Sequence, residues 1–145
     1  METEFSKFEQ KFEVEKYKVF ELEYWMLSLN PFQPTLGSLI ISSKFNATEI
    51  DDVDEEIHSS GLIRIMKKAK SKLAQSFSPS KYNFMALMMV DPVFHIHVVP
   101  RYPNEIEFSG VSFKDKGWPS LPIMEANVLT EKELKNILNK LNEKL

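Results

Sequence analysis

The order of sequence patterns along the chain predicts an α+β fold, with an antiparallel sheet of about five strands, one long helix and a C-terminal helix. Two strand-like segments precede a long segment with helical spacing, two more strand-like segments follow it, and a second helical segment comes last. Runs of strands separated by single helices are typical of α+β domains. The 145 residues fit one domain, so we expect a single domain over 1–145.

The first third of the chain predicts two strands after a segment of uncertain type. Residues 1–16 are charged and aromatic without a clean period, and they could form a short helix, an edge strand or a mobile arm. The sequence YKVFELEYWMLSL over 17–29 alternates and is rich in β-formers, which predicts one strand. Asn30 and Pro31 end this strand because proline removes a donor from the sheet. The sequence GSLIISS over 37–43 predicts the second strand.

Apolar residues recur at helical spacing over 48–77 and predict the long helix. Its first half is acidic and its second half basic, an order that complements the helix dipole. Ser59-Ser60-Gly61 interrupts the pattern and could break or kink the helix. Two further strands are predicted over 82–90 and 93–99, and Asp91-Pro92 between them is short enough for a hairpin-like connection.

The last third has an irregular pattern over 104–128 and then predicts a C-terminal helix over 129–145. Thr130 and Glu133 have the spacing of a capping box at the start of this helix. The helix has an apolar stripe that we expect to contact the core or a dimer partner. Its members are Leu134, Ile137, Leu138, Leu141 and Leu145.

Composition excludes several classes of protein. The chain has no Cys, which excludes a disulfide framework, a thiolate zinc site and a cysteine nucleophile. With 18 Lys+Arg against 21 Asp+Glu it lacks the broad basic surface of a nucleic-acid-binding protein. No segment approaches the ~18 consecutive apolar residues of a membrane span, and neither common glycine-rich nucleotide loop occurs. We therefore expect a cytoplasmic protein with no nucleic-acid or membrane partner.

The candidate chemistry lies in the strand over 93–99, where His95 and His97 fall on one face because side chains two apart in a strand share a face. Two imidazoles on an apolar strand are costly unless they have partners. They could be structural and satisfied by backbone or water, or they could bind zinc or iron with a third ligand. Alternatively, one imidazole attacks phosphorus while its far nitrogen donates to a fixed acceptor. Arg101 could then hold negative charge, or only pair with a surface acid.

The segment 83–102, NFMALMMVDPVFHIHVVPRY, resembles the signature region of the histidine triad (HIT) superfamily. The usual motif is His-φ-His-φ-His-φ-φ, often followed by Pro-Arg, where φ is apolar. In V-F-H-I-H-V-V-P-R, Val93 stands where the first His is expected. One HIT-like branch replaces that His with Gln and carries Asn-x-x-Ala-Leu before it and Trp-Pro after it, and 83–87 and 118–119 match these features.

The resemblance implies a role for individual residues. His95 would be the nucleophile and His97 would contact phosphate, with no metal and no cofactor required. Asn30 would contact the nucleoside sugar, and backbone amides near Pro92 and Phe94 would hold phosphate oxygens. The remaining implied substrate-binding residues are Asn83, Ser38 and Arg101.

The activity that the resemblance implies is that of a nucleotide-binding hydrolase or nucleotidyl transferase, working as a homodimer. Its substrate would be a nucleoside polyphosphate or other nucleoside phosphoanhydride, or a phosphoramidate, cleaved through a covalent nucleotidyl-histidine. Val93 in place of the first His, and Ser38 where the family usually has His after Gly, favour an alternative. In that alternative the chain is a weak or inactive nucleotide-binding module of the same fold.

Overall fold

The computed structural model describes residues 3–143, and within them it contains a five-stranded sheet, a two-stranded hairpin and three α-helices. The strands are β1 Lys18–Glu21, β2 Trp25–Leu29, β3 Leu39–Ser43, β4 Lys81–Met85, β5 His95–Arg101, β6 Ile106–Phe108 and β7 Val111–Phe113. The helices are α1 Glu4–Phe12, α2 Ser59–Phe77 and α3 Glu131–Leu141, with a 3₁₀ turn at Ile50–Asp52. The larger sheet has the order β1-β2-β3-β5-β4 and is antiparallel throughout, so the predicted α+β class and sheet size are confirmed.

The sheet separates a large apolar core from a small one. Helices α2 and α3 pack on one face, where Leu73 and Ile137 join Leu27, Ile41 and other buried side chains in the large core. Helix α1 packs on the other face and forms the small core. Its buried members are Phe8, Phe12, Ile40 and Val93. Of the alternatives for the N-terminal segment, the structure therefore contains the short helix.

The single strand predicted over 17–29 is wrong, because the chain reverses at 22–24 and forms the β1–β2 hairpin. The backbone N–H of Leu22 donates to the carbonyl of Trp25 at 2.8 Å across the turn. No glycine or proline marks the reversal, and the alternation of apolar residues continues through it. Pattern alone therefore could not separate the two strands.

The predicted start of the long helix is also wrong, since α2 begins at Ser59, where the sequence indicated a break. The acidic residues before it do not act on a helix dipole. Asp52 accepts backbone N–H groups of 48 and 49, and Asp54 accepts those of 56 and 57. The carboxylates thus stabilise the turns of a loop, a use that helical spacing cannot distinguish from a first helical turn.

Three boundaries in the second half differ from the prediction. Strand β4 ends at Met85, so 86–90 belongs to a loop in which Met88 has φ of 43°, while β5 extends to Arg101 through Pro100. The region 104–128 contains the β6–β7 hairpin, which turns at Ser109 and Gly110 with φ of 54° and 80°. The capping box of α3 is confirmed, whereas position 145 of its predicted stripe lies outside the described residues. Within 3–143, no helix has both the length and the apolarity to cross a membrane.

The α3 capping box gives a direct test of helix stability. The Thr130 hydroxyl accepts the Glu133 N–H at 3.1 Å, and the Glu133 carboxylate accepts the Thr130 N–H at 2.8 Å. We expect Thr130→Ala to lower the free energy of unfolding by about 1 kcal/mol, measured by denaturant titration. Thr130→Ser keeps the hydroxyl and serves as the control, and an equal loss in both variants would contradict the assignment.

Candidate functional site

Strand β5 carries the two histidines on the face of the sheet that α1 covers. Ile96 and Val98, at the alternate positions, enter the large core. His97 lies opposite Ile40 of β3 and Met85 of β4 in register. The His95 and His97 rings are 4.9 Å apart between centroids and 79° apart in plane, so they form one site.

The hydrogen bond of His95 defines which of its nitrogens can react. Its Nδ1 lies 2.5 Å from the carbonyl oxygen of Val93. Because a carbonyl only accepts, Nδ1 carries the proton and Nε2 keeps its lone pair in the neutral ring. His95 is 2% exposed, and burial lowers its pKa below the ordinary value of 6.5. The ring is therefore neutral at pH 7, with Nε2 unprotonated.

His97 presents a buried nitrogen without a protein partner. Among residues 3–143, no group is within hydrogen-bonding distance of its Nδ1, although that atom is shielded from solvent. Burial lowers the pKa of His97 to about 4, and the neighbouring His95 acts in the same direction. Buried polar atoms normally have partners, so this unpaired nitrogen distinguishes His97 from His95, whose Nδ1 is bound to a backbone carbonyl.

Helix α1 forms an aromatic cover over the pair. The Phe8 ring centroid is 5.1 Å from that of His95, and the Phe12 centroid is 6.2 Å from His95 and 6.5 Å from His97. From the same helix, the Lys11 ammonium contacts the Asp91 carboxylate at 2.8 Å and so joins α1 to the loop before β5. The sequence offered a weak signal for this helix in the spacing of its phenylalanines, but nothing to indicate that it lies on the histidines.

A cavity of about 360 Å³ opens beside the two imidazoles, within the range of small-molecule sites. Its walls come from α1, the loop after β2, the loop before β5 and the segment near 124–126, and they are mostly apolar. The lining residues are Lys11, Phe12, Asn30, Phe32, Pro34, Leu87, Met88, Met89, Val90, Asp91, His95, His97, Met124 and Ala126. The structure thus brings Asn30 together with His95 and His97, as the resemblance implies.

The backbone around Asn30 is held by Gln33, a fully buried side chain in the loop after β2. Gln33 Nε2 donates to the carbonyls of Asn30 and Ser38 at 2.6 and 2.9 Å, and its Oε1 accepts the Gly37 N–H at 2.9 Å. The Asn30 Oδ1 accepts the Phe32 N–H at 2.9 Å, which leaves the Asn30 amide nitrogen as a donor for a ligand.

Three other predicted substrate contacts have different surroundings. Ser38 is buried, donates to the Thr35 carbonyl at 2.9 Å and does not line the cavity. Pro92 has no N–H, and the Phe94 N–H donates to the Ala47 carbonyl at 2.8 Å. Pro92 and Phe94 themselves therefore offer no free N–H to a phosphate oxygen in this arrangement.

Asn83 and Arg101 are separated from the histidines and line a different cavity beside Trp118. Arg101 is 4% exposed, and its Nε and Nη2 donate to the Asp115 carboxylate at 2.6 and 3.1 Å. Its Nη1 donates to Asn83 Oδ1 at 2.7 Å. Arg101 thus pairs with an acid, but the acid is the buried Asp115 and not the surface acid considered for it, and the pair ties the segment after β7 to the sheet.

A metal site on His95 and His97 would need a third ligand. Residues 3–143 place no such ligand near the two imidazoles. Across residues 3–143, no three His, Cys, Asp or Glu side chains converge as a metal site requires. The third histidine, His58, stacks on Phe45 with centroids 3.7 Å apart, away from the cavity.

Comparison with known proteins relates this fold to the histidine triad proteins. A histidine triad protein of Sinorhizobium meliloti superposes with a TM-score of 0.71 at 18% identity, covering 92% of this chain and 93% of the other. A hypothetical histidine triad nucleotide-binding protein of Sulfolobus tokodaii gives 0.65 at 13% identity, with 87% and 80% covered. A zinc-bound histidine triad family protein of Mycobacterium smegmatis gives 0.62 at 16% identity, with 86% and 83% covered.

The comparisons confirm the resemblance at the level of the fold. No protein-family model matches the sequence, and no curated protein matches it. At identities this low, structural similarity establishes architecture and not activity. The chain has a histidine triad-like fold.

The depressed pKa of His97 predicts a pH-dependent stability. Because the folded protein disfavours the charged ring, the unfolded chain binds more protons between pH 4 and 6.5. We expect the free energy of unfolding to fall by about 1–3 kcal/mol as pH drops through this window. Denaturant titrations at several pH values should give a smaller fall for His97→Gln, and an identical slope in the variant would contradict the assignment.

The Arg101–Asp115 pair predicts a structural effect separate from the histidine cavity. Asp115→Ala leaves a buried guanidinium without its carboxylate, so we expect a loss of about 3–5 kcal/mol in the free energy of unfolding. Lys135→Ala removes an exposed ion pair with Glu131 and should change stability little. Similar small losses from both variants, measured by denaturant titration, would show that the buried pair is not structural.

Proposed function

We propose that the chain binds a nucleotide in the His95–His97 cavity and cleaves a nucleoside phosphoanhydride or phosphoramidate through a nucleotidyl-histidine on His95. The observation that supports this most directly is the hydrogen bond from His95 Nδ1 to the Val93 carbonyl. It prepares a neutral imidazole whose Nε2 lone pair is available for attack on phosphorus. The Sulfolobus tokodaii structural neighbour is itself described as a nucleotide-binding protein.

The reaction would proceed in two displacements. In the first, His95 Nε2 forms a bond to the α-phosphorus, and the bond from phosphorus to the leaving group breaks with its electron pair on that group. In the second, water adds to phosphorus, the bond to Nε2 breaks, and the water proton passes to solvent. His97 would contact the phosphoryl group, while the Asn30 amide nitrogen would donate to the sugar.

Burial of the nucleophile assists such a reaction in one respect. His95 and His97 both have lowered pKa values, so neither ring needs to lose a proton at neutral pH before it acts.

The alternative, a nucleotide-binding module with little or no turnover, is favoured by the packing of Val93. This side chain is 1% exposed and belongs to the small core with Phe8 and Phe12, so the position offers no polar group to a leaving oxygen. The two functions share one cavity and differ only in whether the covalent step occurs. A homodimer and a cytoplasmic location stay predictions from the sequence.

A test of the covalent step uses His95→Gln, with His58→Gln as the matched control at the histidine outside the cavity. We expect calorimetry to detect AMP binding to all three proteins. Alkali-quenched mass spectrometry, which preserves the acid-labile P–N bond, should detect a nucleotidyl adduct only in the wild type and His58→Gln. Turnover of a nucleoside phosphoramidate should fall at least about 10³-fold in His95→Gln.

The outcomes separate the two functions. Binding without adduct or turnover in the wild type would support the binding module and exclude the covalent mechanism. If neither AMP nor any other nucleotide binds, both proposed functions are contradicted. An adduct retained in His95→Gln would mean that another side chain is the nucleophile.

A further inference from the structure

Helix α1 is attached to the rest of the protein by a small number of interactions. Its buried side chains, Phe8 and Phe12, belong to the four-residue small core, whereas α2 and α3 pack into the large core. Within 3–143, the Lys11–Asp91 ion pair is the single hydrogen-bonded contact between α1 and any residue beyond 17. Elements with little buried apolar area and few such contacts open at the lowest free-energy cost.

The chain that follows α1 is anchored to the sheet from Val14 onward. The Ser28 hydroxyl of β2 donates to the Val14 carbonyl at 2.9 Å, and the Leu29 N–H donates to the Tyr17 carbonyl at 2.9 Å. Between this anchor and the helix lies Glu13, whose φ of 49° is in the left-handed region. A residue other than glycine occupies that region at a cost, so a change of φ at Glu13 relieves strain. The backbone at this position is therefore suited to act as a hinge.

The helix held in this way lies over the His95 ring. The Phe8 and Phe12 ring centroids are 5.1 and 6.2 Å from that of His95, and His95 is 2% exposed. Lys11 and Phe12 also form one wall of the cavity beside the two imidazoles. A group that bonds to His95 Nε2 has to occupy space that these side chains border. Movement of α1 away from the sheet would therefore widen the access to this nitrogen.

We propose that α1 is a lid, hinged at Glu13 and held closed by the Lys11–Asp91 ion pair, which opens to admit a ligand to His95 and closes over it. In the closed state, Phe8 and Phe12 exclude water from the imidazole. In the open state, the ring is exposed and Lys11 has left Asp91. The side chains of the ion pair are 40% and 21% exposed, so salt weakens it. Opening occurs in the free protein, whatever ligand the cavity binds.

The experiment measures the reaction of His95 with diethyl pyrocarbonate, which carbethoxylates unprotonated imidazole nitrogens, at neutral pH and without nucleotide. Peptide mass spectrometry gives the rate at His95 and at His58, which lies outside the cavity and serves as the internal reference. We expect Asp91→Asn to raise the His95 rate relative to His58 about two- to fivefold, the range that a partly exposed ion pair allows. Raising the salt from about 50 to about 500 mM should do the same in the wild type and little in the variant.

The matched control is Glu4→Gln, which removes an ion pair within α1. Glu4 and Lys7 lie 3.7 Å apart in this pair, and neither contacts the loop before β5. Because the Lys11–Asp91 pair stays in place, the His95 rate should equal that of the wild type.

A bridged variant tests the lid independently of the strength of the ion pair. Lys11→Cys with Asp91→Cys supplies the only two thiols, because the chain has no Cys, and a short bismaleimide then joins them. The reference is the same variant with each thiol capped by N-ethylmaleimide. We expect the bridge to lower the His95 rate at least about 10-fold relative to the capped protein, and to slow the association of AMP by a similar factor.

The outcomes separate a lid from a fixed wall. Equal His95 rates in the wild type and Asp91→Asn, or in the bridged and capped proteins, would overturn the lid. Equal rates of AMP association in the bridged and capped proteins would also overturn it, because entry would then not require α1 to move. If the His95 rates change as expected and no nucleotide binds, the lid is supported and the proposed function is wrong.

Discussion

The hydrogen bond between His95 Nδ1 and the Val93 carbonyl is the interaction on which the site depends. It satisfies a buried polar atom, selects one tautomer and orients the ring with a single contact. The acceptor is a backbone group two residues away, so it is present whatever side chain stands at position 93. Valine at position 93 therefore leaves the tautomer and the orientation of the His95 ring unchanged.

The cover formed by α1 explains why the surroundings of the pair are so apolar. Phe8 and Phe12 occupy space above the imidazoles that water would otherwise fill, and this burial lowers the pKa of both rings. The Lys11–Asp91 ion pair closes the arrangement by joining the helix to the loop before β5. Helix α1 thus contributes to the burial that keeps the imidazoles neutral and, through Lys11, supplies the counter-ion of Asp91.

The elements that the sequence predicted correctly are those that depend on interactions between residues close together in the chain. The α3 capping box, the break at Ser59 and the alternate placement of the histidines follow from spacing alone. The errors occurred where two structures share one pattern. Continuous alternation conceals the hairpin turn at 22–24, acidic residues stabilise a loop as readily as a helix start, and the apolar residues 86–90 line a cavity instead of extending β4.

By itself the sequence determined the α+β class, the face shared by His95 and His97, and a resemblance specific enough to name the fold. Only the tertiary structure decided which of the candidate site residues lie in the same cavity. It brought Asn30 to the histidines through a loop that Gln33 organises, and it placed Arg101 and Asn83 in a separate cavity with Asp115. The reason is physical: strand periodicity orients neighbours two residues apart, whereas contacts between distant segments depend on how loops and helices pack over the sheet.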